Sequence, residues 1–319
     1  MSDHKPELAG RTPRVFVIIP THNRWDEARV ALTCLSKSTY PNLEVVLIDD
    51  GCTDGTGRNC RAEFPSVTIL EGDGNLWWSG AINLGIDHAL AHSADAIVWL
   101  NDDNRVEPET LARLVESHLR QGPQSIPCAR VALIGADVEW AGRPPRWHAE
   151  YESWKQPTAS LPRDFAIVHP PGGQGVMIPA QCLRDIGGVD VKAFPHYWAD
   201  HDFHYRAMKA GYKYFVATEA VVWNLPNKER PEAPKSVIGS LRGTLWFLFN
   251  RRSPMNMPTV HRLLKRHLPR AEYRQTFYPL LRRHLAWLGY EWLSRKRVYK
   301  WVRALKRTVK GQPSEKAIR

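Results

Sequence analysis

The chain reads as an α/β protein: a mostly parallel central sheet flanked by helices, followed by a C-terminal helical extension. Three observations predict this. Apolar, β-branched runs alternate with segments of helical periodicity from residue 15 to residue 119, the rhythm of a parallel sheet. Acidic clusters follow two of the predicted strands, at the carboxyl ends where such sheets bind ligands. The last quarter changes character, with 21 Lys and Arg against 4 Asp and Glu over residues 231–319, whereas residues 1–230 carry 23 against 29.

Residues 1–13 form a polar leader. Val15–Ile19 is a continuous apolar run suited to a strand buried on both faces, and Pro20 stops it. Residues 25–37 place Ala28, Ala31, Leu32 and Leu35 at helical spacing. Leu43–Ile48 is a second buried strand ending in Asp49-Asp50-Gly51, and a helix can start after Thr53. Val67–Leu70 predicts a third strand, Gly80–His92 a helix, and Ala96–Leu100 a fourth strand ending in Asn101-Asp102-Asp103-Asn104. Pro108 opens a helix through Leu119, a favoured first-turn position. Residues 122–171 are rich in Pro, Gly and Trp and read as loops around a strand at Val131–Ile134. Gly172–Gly175 precedes a short apolar strand, Cys182–Ile186 a brief helix, and Asp200–Ala210 a helix capped by Gly211. Tyr214–Val216 and Ala220–Trp223 read as two short strands. From about Ser236 the chain is helical, and Val298, Trp301, Val302, Leu305 and Val309 oppose Lys300, Arg303, Lys306, Arg307 and Lys310. That is a basic amphipathic helix of the kind that lies in a membrane interface.

Net charge is +11, and the division above assigns it to the tail. A basic block attracts anionic membrane, nucleic acid or an acidic partner. Cysteines 34, 52, 60, 128 and 182 contain no C-x-x-C pair, which argues against a zinc knuckle or redox motif and for free thiols in a reducing compartment. Met1–Gly10 has no apolar signal core and no apolar run approaches the ~20 residues that span a bilayer. The expected location is cytoplasmic, peripheral at the inner face of the cell membrane.

Five segments carry candidate chemistry. Asp49-Asp50-Gly51 can receive hydrogen bonds from a nucleobase or ribose, although taken alone the segment is better explained as a turn. Adjacent Asp102 and Asp103 at a sheet mouth suit a hard divalent ion that also takes phosphate oxygens; an acidic helix start is the competing reading. Asp200 and Asp202, in Trp198-Ala-Asp-His-Asp-Phe203, could accept a proton from an attacking hydroxyl, or simply favour a helix dipole. Gly172-Gly-Gln-Gly175 lacks the Lys-Ser/Thr sequel of a phosphate loop and reads as a tight turn, beside an acceptor or merely structural. Trp77 and Trp78 could wall a sugar site, with core packing the alternative for one of them.

In order and spacing these segments resemble the family 2 glycosyltransferases, inverting enzymes of the A-type fold. Pro20-Thr-His-Asn-Arg24 resembles the family's P-[ST]-x-N-R, Val46-L-I-D-D-G-C-T-D-G-Thr56 its V-V-D-D-G-S-x-D-G-T, and Leu100-N-D-D-Asn104 holds the metal-motif position. Gly172-G-Q-G-V-M-I-P, Ile186-G-G-V-D and Tyr197-W-A-D-H-D-F-H-Y-R-A-M-K-A-G-Tyr212 resemble its acceptor-side motifs, so the likeness covers about residues 14–224. Rhamnosyl and related surface-polysaccharide transferases are the nearest subset.

The resemblance implies roles. Pro20, Thr21, Asn23, Arg24, Asp50, Asp102 and Trp78 would bind a nucleotide sugar of UDP or dTDP type. Asp103 would ligate Mg²⁺ or Mn²⁺, with Asn224 near the place where relatives carry a metal-binding His. Asp200 would be the catalytic base, and Asp202, Trp198, Gly173 and Gln174 would face the acceptor, a glycan or lipid-linked glycan. Ala199 replaces the usual Glu before the base, and the processive Q-x-x-R-W motif is absent. The expected domains are a transferase domain over 14–230 (donor half about 14–120, acceptor half about 121–230) and a tail over 236–319 that meets an anionic membrane. Two rivals stand beside this reading: a sugar nucleotidyltransferase, disfavoured because the first loop is not Gly-rich, and a nucleic-acid-binding protein using the basic tail. The apolar stripe of the last helix fits a lipid surface better than nucleic acid, and no nucleic-acid partner is expected.

Overall fold

The computed structural model describes residues 11–133, 162–169, 171–224, 241–251 and 253–295. The chain divides into two compact units, Met1–Asn227 and Lys228–Arg319. The basic segment 298–310 lies outside the described residues.

The first unit is built on a nine-stranded sheet in the order β3-β2-β1-β4-β8-β6-β9-β5, with β7 also pairing β9. β1 (Val15–Thr21), β2 (Leu43–Asp50), β3 (Thr68–Gly72) and β4 (Ala96–Trp99) are parallel throughout. β1 lies between β2 and β4, which is why its run is apolar on both faces: Val15 through Ile19 are 0% exposed. Full burial of such side chains is worth roughly 1.5–3 kcal/mol each. α1 (Trp25–Leu35), α2 (Thr56–Glu63) and α3 (Trp77–Ala91) make the crossovers. Their buried positions, Ala28, Ala31, Leu32 and Leu35 in α1 and Ile82, Ile86 and Ala89 in α3, repeat at helical spacing.

Beyond β4 the pairing turns mixed. β8 (Val176–Pro179) runs antiparallel to β4 and to β6 (Ser125–Leu133), while β6 and β9 (Lys213–Asn224) are parallel. β5 (Asn104–Val106) and β7 (Asp164–Ile167) run antiparallel to β9. α4 (Thr110–Gln121), α5 (Ala180–Ile186) and α6 (Ala199–Lys209) complete the unit.

β9 is one strand where the sequence predicts two. Its register against β6 jumps from Ala129↔Ala217 to Arg130↔Val221, so Thr218–Ala220 bulge out. The polar Thr218-Glu219 pair interrupts the apolar pattern without ending the strand, because Thr218 donates its N–H to the Arg163 carbonyl at the bulge. The short strand β5 was not expected either, since three residues inside a polar motif carry no strand signal.

In the second unit α7 (Leu241–Phe249), α8 (Met257–His267) and α9 (Arg270–Arg295) are helical, as predicted for this stretch. Asn256 caps α8 by accepting the Thr259 N–H at 2.9 Å, and Met257, Val260, Leu263 and Leu264 form its buried stripe. No helix among the described residues is long and apolar enough to cross a membrane.

Candidate active site

The carboxyl ends of β1, β2 and β4 meet the loops before α3, β8 and α6, and nearly every predicted site residue falls there. At the end of β1, Thr21 donates its hydroxyl to Asp102 at 3.0 Å, and Arg24 bonds the other oxygen of Asp102 at 2.8 Å. Arg24 also lies 3.8 Å from Asp103. Pro20, the one half-buried position of β1, lies opposite Ile48. Asn23, in the left-handed region at φ 53°, accepts the Thr53 N–H at 2.7 Å and ties the first loop to the turn after β2.

Burial pushes the Asp102 carboxyl up to about 7, with Arg24 opposing the shift and Asp103 adding to it. Burial raises Asp103 as well, against the pull of Arg24. Two acids crowded this closely call for positive charge beyond one guanidinium.

Asp50 is occupied in a way the sequence did not reveal. Its oxygens accept the N–H groups of Gly74 (2.9 Å), Leu76 (3.2 Å) and Trp77 (3.0 Å). The carboxylate therefore clamps the loop that starts α3, and little acceptor capacity remains for a nucleobase. Gly51, at φ 66°, sits so close to Gly74 that a Cβ would approach its backbone to 2.8 Å.

That clamp aims the tryptophans. Trp78 donates to Asn101 at 3.2 Å, and its ring lies where a Cβ on Gly173 would come within 2.7 Å. Gly173 has to be glycine for this packing. Its N–H donates to Asp200 at 2.9 Å, and the His201 N–H donates to the other Asp200 oxygen at 2.8 Å. Asn101 and Asn104 were read only as part of the acidic motif, yet they carry the link across: the Asn101 N–H donates to the Asn104 side chain, which donates to Gln174 at 3.0 Å. Asn104 faces Asn224 across the β5–β9 ladder. Asp50, Asp102, Asp103 and Asp200 are thus joined through Trp77–Trp78, Asn101 and Gly173.

Asp202 does not join them, and its acceptor-side assignment is corrected. It is 0% exposed and paired with Arg206 at 2.9 Å. Arg206 in turn donates to the carbonyls of Ile186 and Gly188. A helix advances about 100° per residue, so two positions after Asp200 the side chain points to the opposite face, into the protein. In the sequence Arg206 stands within the Tyr197–Tyr212 motif, at i,i+4 from Asp202, with no role of its own assigned.

Among the described residues no three His, Cys, Asp or Glu side chains gather into a complete metal cage. A phosphate-bridged Mg²⁺ or Mn²⁺ needs only one or two protein oxygens. Asp103 Oδ1 and Asn224 Oδ1 are both buried without a hydrogen-bond partner. Asn224 also sits opposite the residue that follows Asp103. These two oxygens fit that requirement.

All five cysteines are free. Burial pushes the Cys52 thiol up to about 12, so this sulfur beside the first loop is no nucleophile.

Comparison with known proteins places these features. Residues 16–173 match the family model described as Glycosyl transferase family 2. The galactofuranosyltransferase GlfT1 of Mycobacterium tuberculosis is 40% identical over 95 residues, 29% of this chain and 31% of that protein. The undecaprenyl-phosphate mannosyltransferase of Micrococcus luteus is 34% identical over 139 residues, 40% of this chain and 57% of that protein. The chain thus spans from about a third to just over half of the length of these relatives. Among solved structures, S. aureus TarS 1-349 in complex with UDP superposes with TM-score 0.52 at 15% identity, covering 89% of this chain and 73% of that one. The mannosyltransferase PcManGT from Pyrobaculum calidifontis, in complex with GDP-Man and Mn2+, gives 0.53 at 19%, covering 92% and 84%. At these identities the two structures speak for the fold alone.

Proposed function

This chain belongs to glycosyl transferase family 2 and has the A-type fold, and from that premise we propose that it is an inverting transferase moving a hexosyl or deoxyhexosyl group from a UDP- or dTDP-sugar to a hydroxyl of a glycan or lipid-linked glycan. The observation that carries the reading is the contact chain from the acidic pair Asp102–Asp103, through Asn101 and Trp78, to Gly173 and Asp200. It supports reading Asp200 as the base and Asp102–Asp103 as the diphosphate side of one site.

In this mechanism Pro20, Thr21, Asn23, Arg24, Asp50 and Asp102 shape the nucleotide side. Asp103 and Asn224 would hold the divalent ion, which when bound neutralises charge on the leaving diphosphate. Asp200 takes the proton of the acceptor hydroxyl. The freed oxygen pair attacks the anomeric carbon from the face opposite the diphosphate, the C–O bond to phosphate breaks, and the configuration inverts. The Gly173 and His201 N–H groups hold the Asp200 carboxylate in one orientation for this step.

The second unit supports docking on an anionic membrane. Tyr278 and Leu285 of α9 are 52% and 54% exposed, Arg282 stands between them at helical spacing, and acidic residues are scarce.

A screen of UDP- and dTDP-sugars with and without Mn²⁺, read as thermal stabilisation and then as release of nucleoside diphosphate, tests the activity. Pyrophosphate as the product would instead favour a nucleotidyltransferase.

A further inference from the structure

Half-buried guanidinium groups in the first unit pair with acids: Arg14 with Glu44, Arg24 with Asp102, Arg113 with Glu116 and Arg206 with Asp202. Arg105, in β5, is half-buried too. Among the described residues no carboxylate pairs with it, and its Nε–H is withdrawn from solvent without an acceptor. Glu107, two residues on, accepts the Trp223 indole N–H at 2.6 Å instead. A partly buried cation left in this way lacks its counter-ion.

The strand register places this charge, because side chains alternate between faces along a strand. Val106 and Val222 share a core with Leu111 and Leu114 of α4, so Arg105 and its ladder partner Trp223 face the other way. So does Arg130 of β6, which pairs with Val221, two residues before Trp223. That face is the one α6 covers. Phe203 of α6 packs on Trp99 at 4.9 Å, Trp99 pairs with Val176, Val176 pairs with Cys128, and Cys128 stands two residues before Arg130. β8 runs antiparallel to both β4 and β6, so β6 and β9 point the same way as β4. Arg130 and Trp223 therefore lie toward the carboxyl ends of their strands, the edge at which Asp200 opens α6.

We infer that Arg105 and Arg130 form an anion subsite on the α6 face of the sheet, and that it takes a phosphate group carried by the acceptor, apart from the hydroxyl that reacts. The inference rests on the transferase reading above and narrows its acceptor to a phosphorylated one. Guanidinium forks match phosphate oxygens in geometry as well as charge. The donor diphosphate belongs, in the same reading, to Asp103 and Asn224, and Asn224 alternates with Trp223 onto the opposite face.

Matched acceptors test it: an octyl glycoside, the same sugar joined to octanol through a phosphodiester, and the same sugar joined to glycerol through one. Each is titrated into the full chain with Mn²⁺ and whichever of UDP or dTDP stabilises it, and binding is read by tryptophan fluorescence. Wild type should bind a phosphodiester at least tenfold more tightly than the octyl glycoside. Arg105→Gln should erase that preference and leave the affinities for octyl glycoside and nucleotide in place. Arg105→Lys should recover part of it, since the charge is kept and the fork is lost. Tighter binding of the octyl than of the glycerol ester assigns the phosphate to a lipid carrier, and the reverse assigns it to a water-soluble phosphodiester. The subsite is overturned if Arg105→Gln keeps the preference, weakens every acceptor alike or weakens the nucleotide instead. A wild type that binds nucleotide and does not discriminate among the acceptors overturns it as well. Should Arg105→Gln fail to fold, Arg130→Gln carries the same comparison. A wild type that binds neither nucleotide would instead remove the transferase reading beneath it.

Discussion

Asp200 has both carboxylate oxygens engaged, one by the Gly173 N–H and one by the His201 N–H, and each oxygen keeps a lone pair for an incoming hydroxyl. Asp200→Asn preserves shape and removes basicity. Turnover should fall by roughly 10²–10⁴ while nucleotide affinity holds, since general-base help is worth about that much; titration calorimetry beside product release separates the two. Asp202, two residues on, should behave oppositely. Asp202→Ala strands Arg206 beside the Ile186 and Gly188 carbonyls, and losing one partner of a buried pair costs on the order of 3 kcal/mol. Urea unfolding should show that loss, and a variant with wild-type stability but no activity would contradict the assignment. On the donor side, Asp103→Asn removes the charged member of the candidate metal pair. Mn²⁺ should then cease to enhance nucleotide binding, which a titration with and without the ion reads directly.

At the scale of elements, the loop into α3 and the first turn of α6 face each other and are held from beneath. His204, one turn after Asp200, is fully buried against Trp99 and Phe203, with Nδ1 2.8 Å from the Tyr214 hydroxyl. Burial pushes its pKa well below the usual 6.5, and His201 and Arg206 press the same way. The unfolded chain therefore takes up a proton below about 6.5 that the folded chain refuses. The stability from His204 is complete above that pH and declines as pH falls beneath it, by up to about 1.4 kcal/mol per pH unit for a single proton. His118, buried in α4 beside Ser125, shifts downward for the same reason and adds to the slope. Urea midpoints between pH 7.5 and 5.5 should trace this decline, and His204→Gln should flatten it in part; an unchanged slope would sink the assignment.

For the molecule as a whole, the two units divide the charge. The excess of basic over acidic residues lies after the break at Lys228, and the carboxylates of the candidate site all lie before it. If the second unit serves docking, replacing Arg274, Arg282 and Arg283 with Ala should lower partition onto phosphatidylglycerol vesicles, most at low salt where charges are least screened. Turnover on a water-soluble acceptor should stay as it was. Equal partition onto neutral and anionic vesicles would separate docking from charge.

Much of this was legible in the residues. A strand buried on both faces has to be apolar along its whole length, so β1, β2 and β4 announced themselves, as did the amphipathic crossovers. The acids at strand ends announced the site, because parallel topology leaves those ends open to ligand. What stayed hidden was contact between distant segments. No local pattern says that Asp50 would be taken up by the backbone of residues 74–77, that Asp202 would turn inward to Arg206 while Asp200 turned outward, or that Asn104 would reach Gln174. Nor does it say that Trp77 and Trp198 would be held in the left-handed region. Residue type and spacing determined which chemistry the chain could carry, since periodicity is a property of neighbours along the chain. Which carboxylates keep lone pairs free and which are consumed by the fold was decided only when burial brought remote donors within 3 Å of them, because a hydrogen bond depends on distance in space and not along the sequence.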